Sequence, residues 1–158
     1  MNPIARRIVL MIAAAGLLGL GVFSVMVYRA VDIETAGAED AARRFATVRA
    51  TLPPGKPVLM LDDAGNLLRR EIPSQRSPAP VRRLCVLVYY ATGRRIVSAT
   101  VPFWFFRIKG PAAQFALRDT GFDLGRLGVT PADLEQYGPA VLIDHVRSGG
   151  DLLLVWTE

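Results

Sequence analysis

The sequence carries one histidine, His145, and one cysteine, Cys85, and a nucleophile with its general base would be drawn first from these two. A cysteine nucleophile works as the thiolate, with a base held within hydrogen-bond reach. Cys85 lies in the run LCVLVYY, whose apolar residues predict a buried and inert thiol. His145 follows Asp144 in a strand-like stretch, and because successive strand residues point to opposite faces, adjacency does not make these two a dyad. A single cysteine also excludes an intramolecular disulfide and a thiolate cluster within one chain.

Asp119-Thr120-Gly121 spells the triplet around the catalytic carboxylate of aspartic proteases, where an apolar strand leads into it and a second copy supplies the partner acid. Here Arg118 precedes the triplet and residues 111–118 read as a short helix, so a turn closing that helix is expected instead. Asp62 with Asp63, and Asp119 with Asp123, lack the spacing of a calcium loop. Gly121, Gly125 and Gly128 follow no nucleotide-binding pattern. The sequence thus favours contact over catalysis, with no catalytic residue, metal ligand or cofactor assigned. The rival class is a membrane-tethered hydrolase using Asp119, or Cys85 with His145.

The stretch that must position everything else is Ile8 to Tyr28, twenty-one residues without charge, proline or amide side chain. At helical rise it spans roughly 31 Å, enough to cross a bilayer once. Arg6 and Arg7 precede it as in a secretory signal, but the run is longer than a cleaved signal's apolar region, and Ala36-Gly37-Ala38 follows only after Arg29, Asp32 and Glu34. An uncleaved signal anchor is expected, with the amino terminus in the cytoplasm and the carboxy-terminal domain outside it. Ala15 and Gly19 form a small-xxx-small pair suited to contact between membrane helices. The expected organisation is a tail and anchor over 1–29, a juxtamembrane amphipathic helix and linker over 30–55, and an extracytoplasmic domain over 56–158.

Charge is polarised along the chain: ten basic residues and one acidic lie between Arg69 and Arg118, against two basic and seven acidic from Asp119 to Glu158. Arg82, Arg83, Arg94 and Arg95 form a candidate basic surface for anionic lipid or an envelope polymer. Pairing of the two segments inside the fold is the alternative. Nucleic acid is not expected as a partner, because Tyr89 and Tyr90 beside these arginines continue an apolar strand. The run PFWFF offers a candidate partner contact in Phe103, Trp104, Arg107 and Lys109. At least two of its four rings are expected in the core, since they are too consecutive for one amphipathic face.

The elements read as α+β, a mainly antiparallel sheet with short helices after one transmembrane helix. Residues 38–52 carry Ala41, Phe45, Val48 and Leu52 at helical spacing, as a stalk or as the first packed element. Residues 57–62 and 67–72 flank the turn Asp63-Ala64-Gly65-Asn66 as a hairpin. Val81 to Tyr90 reads as a central strand and turns at Thr92-Gly93 into Arg95 to Val101. Pro102 to Phe106 fits either a continued strand or a helix capped by Thr100. Thr130-Pro131-Ala132-Asp133 starts a short helix, and 140–147 with 151–157 forms a last hairpin. The whole reads as an anchored binding or assembly module whose partners are the bilayer, through residues 8–28, and a membrane or envelope protein.

Overall fold

The computed structural model describes residues 31–71, 73, 75–109, 120 and 123–158. The anchor expected over 8–28, with Ala15 and Gly19, and the helix expected over 111–118 lie outside these residues. Among the described residues, no helix is long and apolar enough to cross a membrane.

Among the described residues, seven strands and three helices follow in chain order: β1 (Val31–Thr35), α1 (Ala38–Thr51), β2 (Leu59–Leu61), β3 (Leu67–Arg70), β4 (Arg83–Tyr90), β5 (Arg95–Pro102), α2 (Phe103–Lys109), α3 (Pro131–Tyr137), β6 (Val141–Val146) and β7 (Leu152–Thr157). Five strands make one antiparallel sheet in the order β1-β5-β4-β7-β6, and β2 with β3 make a separate hairpin. The fold is therefore α+β with a mainly antiparallel sheet and short helices. β4 is central because it is apolar on both faces, with Leu84 through Tyr89 all buried.

Alternation along β4 divides the core in two. Leu87 and Tyr89 join Ile96 and Leu154 under α1, which lays Ala41 and Phe45 on them. Glu39 and Asp40 in the first turn of α1 and Arg49 in its last suit the helix dipole. Leu84, Val86 and Val88 face the other way, towards the β2–β3 hairpin, α2, the loop 123–129 and α3.

Val31–Thr35 was expected within the juxtamembrane helix and linker; it is instead a strand paired along β5, from Val31 opposite Ala99 to Thr35 opposite Arg95. Val31–Glu158 forms one compact unit, so β1 and α1 belong to the folded domain. The aromatic run resolves as helix. Pro102, which has no N–H to donate, is the last residue of β5, and the Phe103 amide donates to the Arg82 carbonyl at 2.8 Å as the last rung beside β4. At the hairpin turn, Asp62 accepts from the Asn66 amide at 2.7 Å and from the Asn66 side chain at 3.0 Å, with Gly65 at φ +80° between them. Those bonds hold the Asp62 carboxyl below its ordinary pKa.

Candidate functional site

The two residues best suited to nucleophilic chemistry lie on opposite faces of the sheet. Cys85 is opposite Trp156 and Thr100, on the face that carries Leu87, whereas His145 is opposite Leu153 on the other. A sheet separates thiol from imidazole, and they form no pair. Burial raises the Cys85 thiol pKa to about 11, with a smaller push from Glu158, so the thiolate is scarce at neutral pH. Asp144 also turns from His145: both its oxygens accept from Arg49 of α1, Oδ2 from Nε at 2.8 Å and Oδ1 from Nη2 at 2.6 Å. That bidentate bond raises the Arg49 pKa. Asp119 and Gly121 lie outside the described residues; Thr120 between them is buried, and its carbonyl accepts from Tyr90 Oη at 2.8 Å.

The four arginines of the expected basic surface are divided between the ends of the β4–β5 hairpin. Arg83 is opposite Pro102 at one end with Arg82 beside it, while Arg94 in the turn and Arg95 at the start of β5 lie at the other, about 25 Å away at strand rise. Arg83 pairs with Glu158 at 2.6 Å, and Arg95 stacks over the Tyr90 ring at 5.0 Å. Adjacency in sequence does not produce one patch here.

The aromatic run contributes differently at each position. Phe103, Phe105 and Phe106 are buried, Trp104 is 51% exposed, and the Lys109 side chain lies outside the description. Phe103 and Arg107 line an open cleft of about 440 Å³ with the loop Arg76–Val81 and Glu135 of α3. Pro78 and Pro80 fix φ on either side of a bend at Ala79, the Ser77 amide donates to the Gln136 carbonyl at 3.0 Å, and Gln136 Nε2 donates to the Pro73 carbonyl at 3.1 Å. Gly138, at φ +69°, lets α3 end against this loop, because a Cβ there would overlap Ser77. A capping box sets the start of α3 and hence the height of Glu135: the Asp133 amide donates to Thr130 Oγ1 at 3.2 Å and the Thr130 amide to Asp133 Oδ2 at 2.8 Å.

In the cleft one carboxylate serves two guanidinium groups. Glu135 Oε2 accepts from Arg76 Nη2 at 2.7 Å, and Oε1 lies 3.4 Å from Arg107 Nε. Two positive charges against one negative leave the cleft cationic. The Arg76 and Arg107 side chains are 69% and 67% exposed, so each keeps donors directed to solvent. Ser77, the hydroxyl in the lining, is engaged in its own turn, accepting from the Ala79 amide at 3.3 Å. The arrangement suits binding of an anionic group with apolar surface beside it, against Phe103 and the prolines.

Sequence reasoning found Phe103 and Arg107 but missed Arg76 and Glu135, which lie 59 residues apart in the chain. The signal available for them was weak: a lone arginine in a proline-rich loop, and an acid on the short α3. No protein-family model matches this chain, and no curated protein or solved structure matches it.

Proposed function

We propose that the protein is a single-pass membrane protein, amino terminus in the cytoplasm, whose extracytoplasmic domain is a non-catalytic binding or assembly module. Its cleft receives an acidic segment of another membrane or envelope protein. The reading is supported most by the two-to-one ratio of guanidinium to carboxylate around Glu135, since a second carboxylate can join the same pair of arginines without displacing the first. The volume of about 440 Å³ lies in the range of roughly 300–1,000 Å³ found for ligand sites. Arginine and a phenylalanine floor are residue types enriched at protein interfaces.

A photoreactive side chain at Ala79 of the full chain, irradiated in intact membranes, is expected to trap a protein partner. Arg76→Glu with Arg107→Glu abolishes the adduct. An unchanged adduct in that double variant removes the cleft from the proposal. Cys85→Ser and His145→Gln discriminate against the hydrolase reading: a folded chain carrying both keeps its partner and its function if it works by contact.

A further inference from the structure

The register of β1 bears on which end of the domain meets lipid, given the anchor reading above. β1 starts at Val31, three residues after Tyr28, where the apolar run ends. Three extended residues reach about 10 Å at most, so the surface of the bilayer passes within that distance of Val31. Val31 is opposite Ala99, and β5 runs on antiparallel through Thr100, Val101 and Pro102, again about 10 Å at strand rise. At that point α2 begins. Its first turn therefore stands as far beyond Val31 as the tether can reach.

The residues found there have the chemistry of a membrane interface. Trp104 is 51% exposed although its neighbours Phe103, Phe105 and Phe106 are buried, and it sits edge-on to Phe105 at 6.0 Å between centroids. Arg107 follows one turn later on the same side of the helix. Arg82, exposed and without an ion pair among the described residues, is held next to the start of α2 by the bond from the Phe103 amide to its carbonyl, 2.8 Å. An indole with arginines at one level suits the headgroup region, where tryptophan combines apolar area with a polar N–H and arginine meets phosphate. The other way to bring Val31 to a bilayer is to lay the β1 edge flat on it. That edge offers Ile33, 57% exposed, but no tryptophan, and beside it Asp32, which has no ion pair among the described residues, is repelled by an anionic surface, whereas Glu34 is paired with Arg44.

We propose that the end of the domain formed by Trp104 and Arg82 docks on anionic phospholipid, with Trp104 entering the headgroup region. The cleft then opens beside the lipid surface, within reach of membrane-bound partners. The contact differs from the one proposed for the cleft: it uses lipid alone and rests on Trp104 and Arg82, neither of which lines the cleft, while Arg107 borders both.

The chain has two tryptophans, so Trp156→Phe leaves Trp104 as the reporter and Trp104→Phe leaves Trp156. The full chain is placed in bilayer discs of mixed phosphatidylcholine and phosphatidylglycerol, with or without lipid brominated near the head of the acyl chain. Trp104 is expected to be strongly quenched, and more strongly than Trp156, which lies level with Thr100 in the sheet. Should Trp156→Phe lose its fold, the difference in quenching between the parent and Trp104→Phe gives the same reading. Arg82→Ala lowers the docked-to-free ratio about fivefold, equivalent to the roughly 1 kcal/mol contributed by one arginine near an anionic surface. Equal weak quenching at both positions overturns the docking. So does quenching of a tryptophan placed at Ile33 in the chain lacking the native two, which would mean that the β1 edge lies on lipid. Alkaline carbonate extraction keeps the two readings apart: release of the chain from membranes sinks the anchor and the docking together, whereas a retained chain with an unquenched Trp104 sinks the docking alone.

Discussion

Among the described residues, the sheet is covered on one face by a single helix and on the other by four short pieces. α1 lies across the first face with Phe45 fully buried, and ion pairs tie it to both edges of the sheet, Arg44 to Glu34 of β1 at 2.5 Å and Arg49 to Asp144 of β6 at 2.6 Å. The second face is closed by the β2–β3 hairpin, α2, the loop 123–129 and α3. Arg70 stitches part of this cover by donating to the carbonyls of Leu127 at 3.0 Å and Gly128 at 2.7 Å. One continuous helix leaves no seam in its own length. Several pieces leave seams between them, and the cleft is such a seam, between α2, α3 and the loop before β4.

Aromatic truncation breaks the comparison most sharply. Phe45 is the aromatic side chain that α1 contributes to its face, so Phe45→Ala is expected to destabilise by about 4 kcal/mol. Phe106→Ala, on the other face, leaves Phe103 and Phe105 in the same cluster to relax into the gap and costs about 3 kcal/mol. Equilibrium urea unfolding of the full chain in detergent measures both. A larger loss at Phe106 than at Phe45 would mean that the fragmented face is the better packed one.

The pH response at Cys85 comes next. Cys85 shares its face with α1 but sits beyond the cluster that α1 covers, opposite Thr100, which is exposed. Its pKa is raised from 9.0 to about 11 in the folded chain, so between these values the unfolded chain has lost a proton that the folded chain keeps. Stability is therefore full below pH 9 and falls as the pH rises towards 11, by about 3 kcal/mol at most. Cys85→Ala should remove that slope. Alkylation of the native protein at pH 8 should be slow against that of the unfolded chain, and fast native labelling would contradict the burial.

Much of this asymmetry was legible before the structure. Phe45 at helical spacing with Ala41, the continuous apolar stretch of β4, the Thr130 to Asp133 start of α3 and the hairpins β2–β3, β4–β5 and β6–β7 follow from local pattern, because each is written within about twenty consecutive residues. β1 was not, because Val31–Thr35 alternates two acids with apolar residues and abuts a long apolar run that dominates any local reading. Its pairing is supplied by β5, more than sixty residues away. The aromatic run stayed ambiguous for a similar reason: the pairing of β5 with β4 runs on to a last rung from the Phe103 amide to the Arg82 carbonyl, and where that pairing stops is a tertiary fact. The cleft was the least legible part, since Arg76, Arg107 and Glu135 meet only after three separate segments are packed.

The edge ion pair is expected to contribute less than either effect. Arg49 and Asp144 are bidentate, with side chains 37% and 27% exposed, so a double-mutant cycle with alanine at both positions should give a coupling of about 1 kcal/mol, reduced by salt. A coupling near zero would leave Phe45 and its neighbours as what holds α1 in place.

The smallest effect belongs to Trp104, and its smallness is informative. A tryptophan is the largest side chain the helix could commit to packing, and α2 buries its neighbours on both sides, yet Trp104 remains 51% exposed. Side chains at successive helix positions diverge by roughly 100°, so three phenylalanines at 103, 105 and 106 already span the arc that faces the sheet, and the residue at 104 is turned out. Trp104→Ala should then change the unfolding free energy by less than about 0.5 kcal/mol, as for surface positions generally, while each of the three phenylalanines costs several times more. Urea unfolding of the four alanine variants in detergent makes the comparison within little more than one turn of helix. A loss at Trp104 comparable with that at Phe103 would mean that the indole supports the fold, and it could not then be spared for contact with lipid.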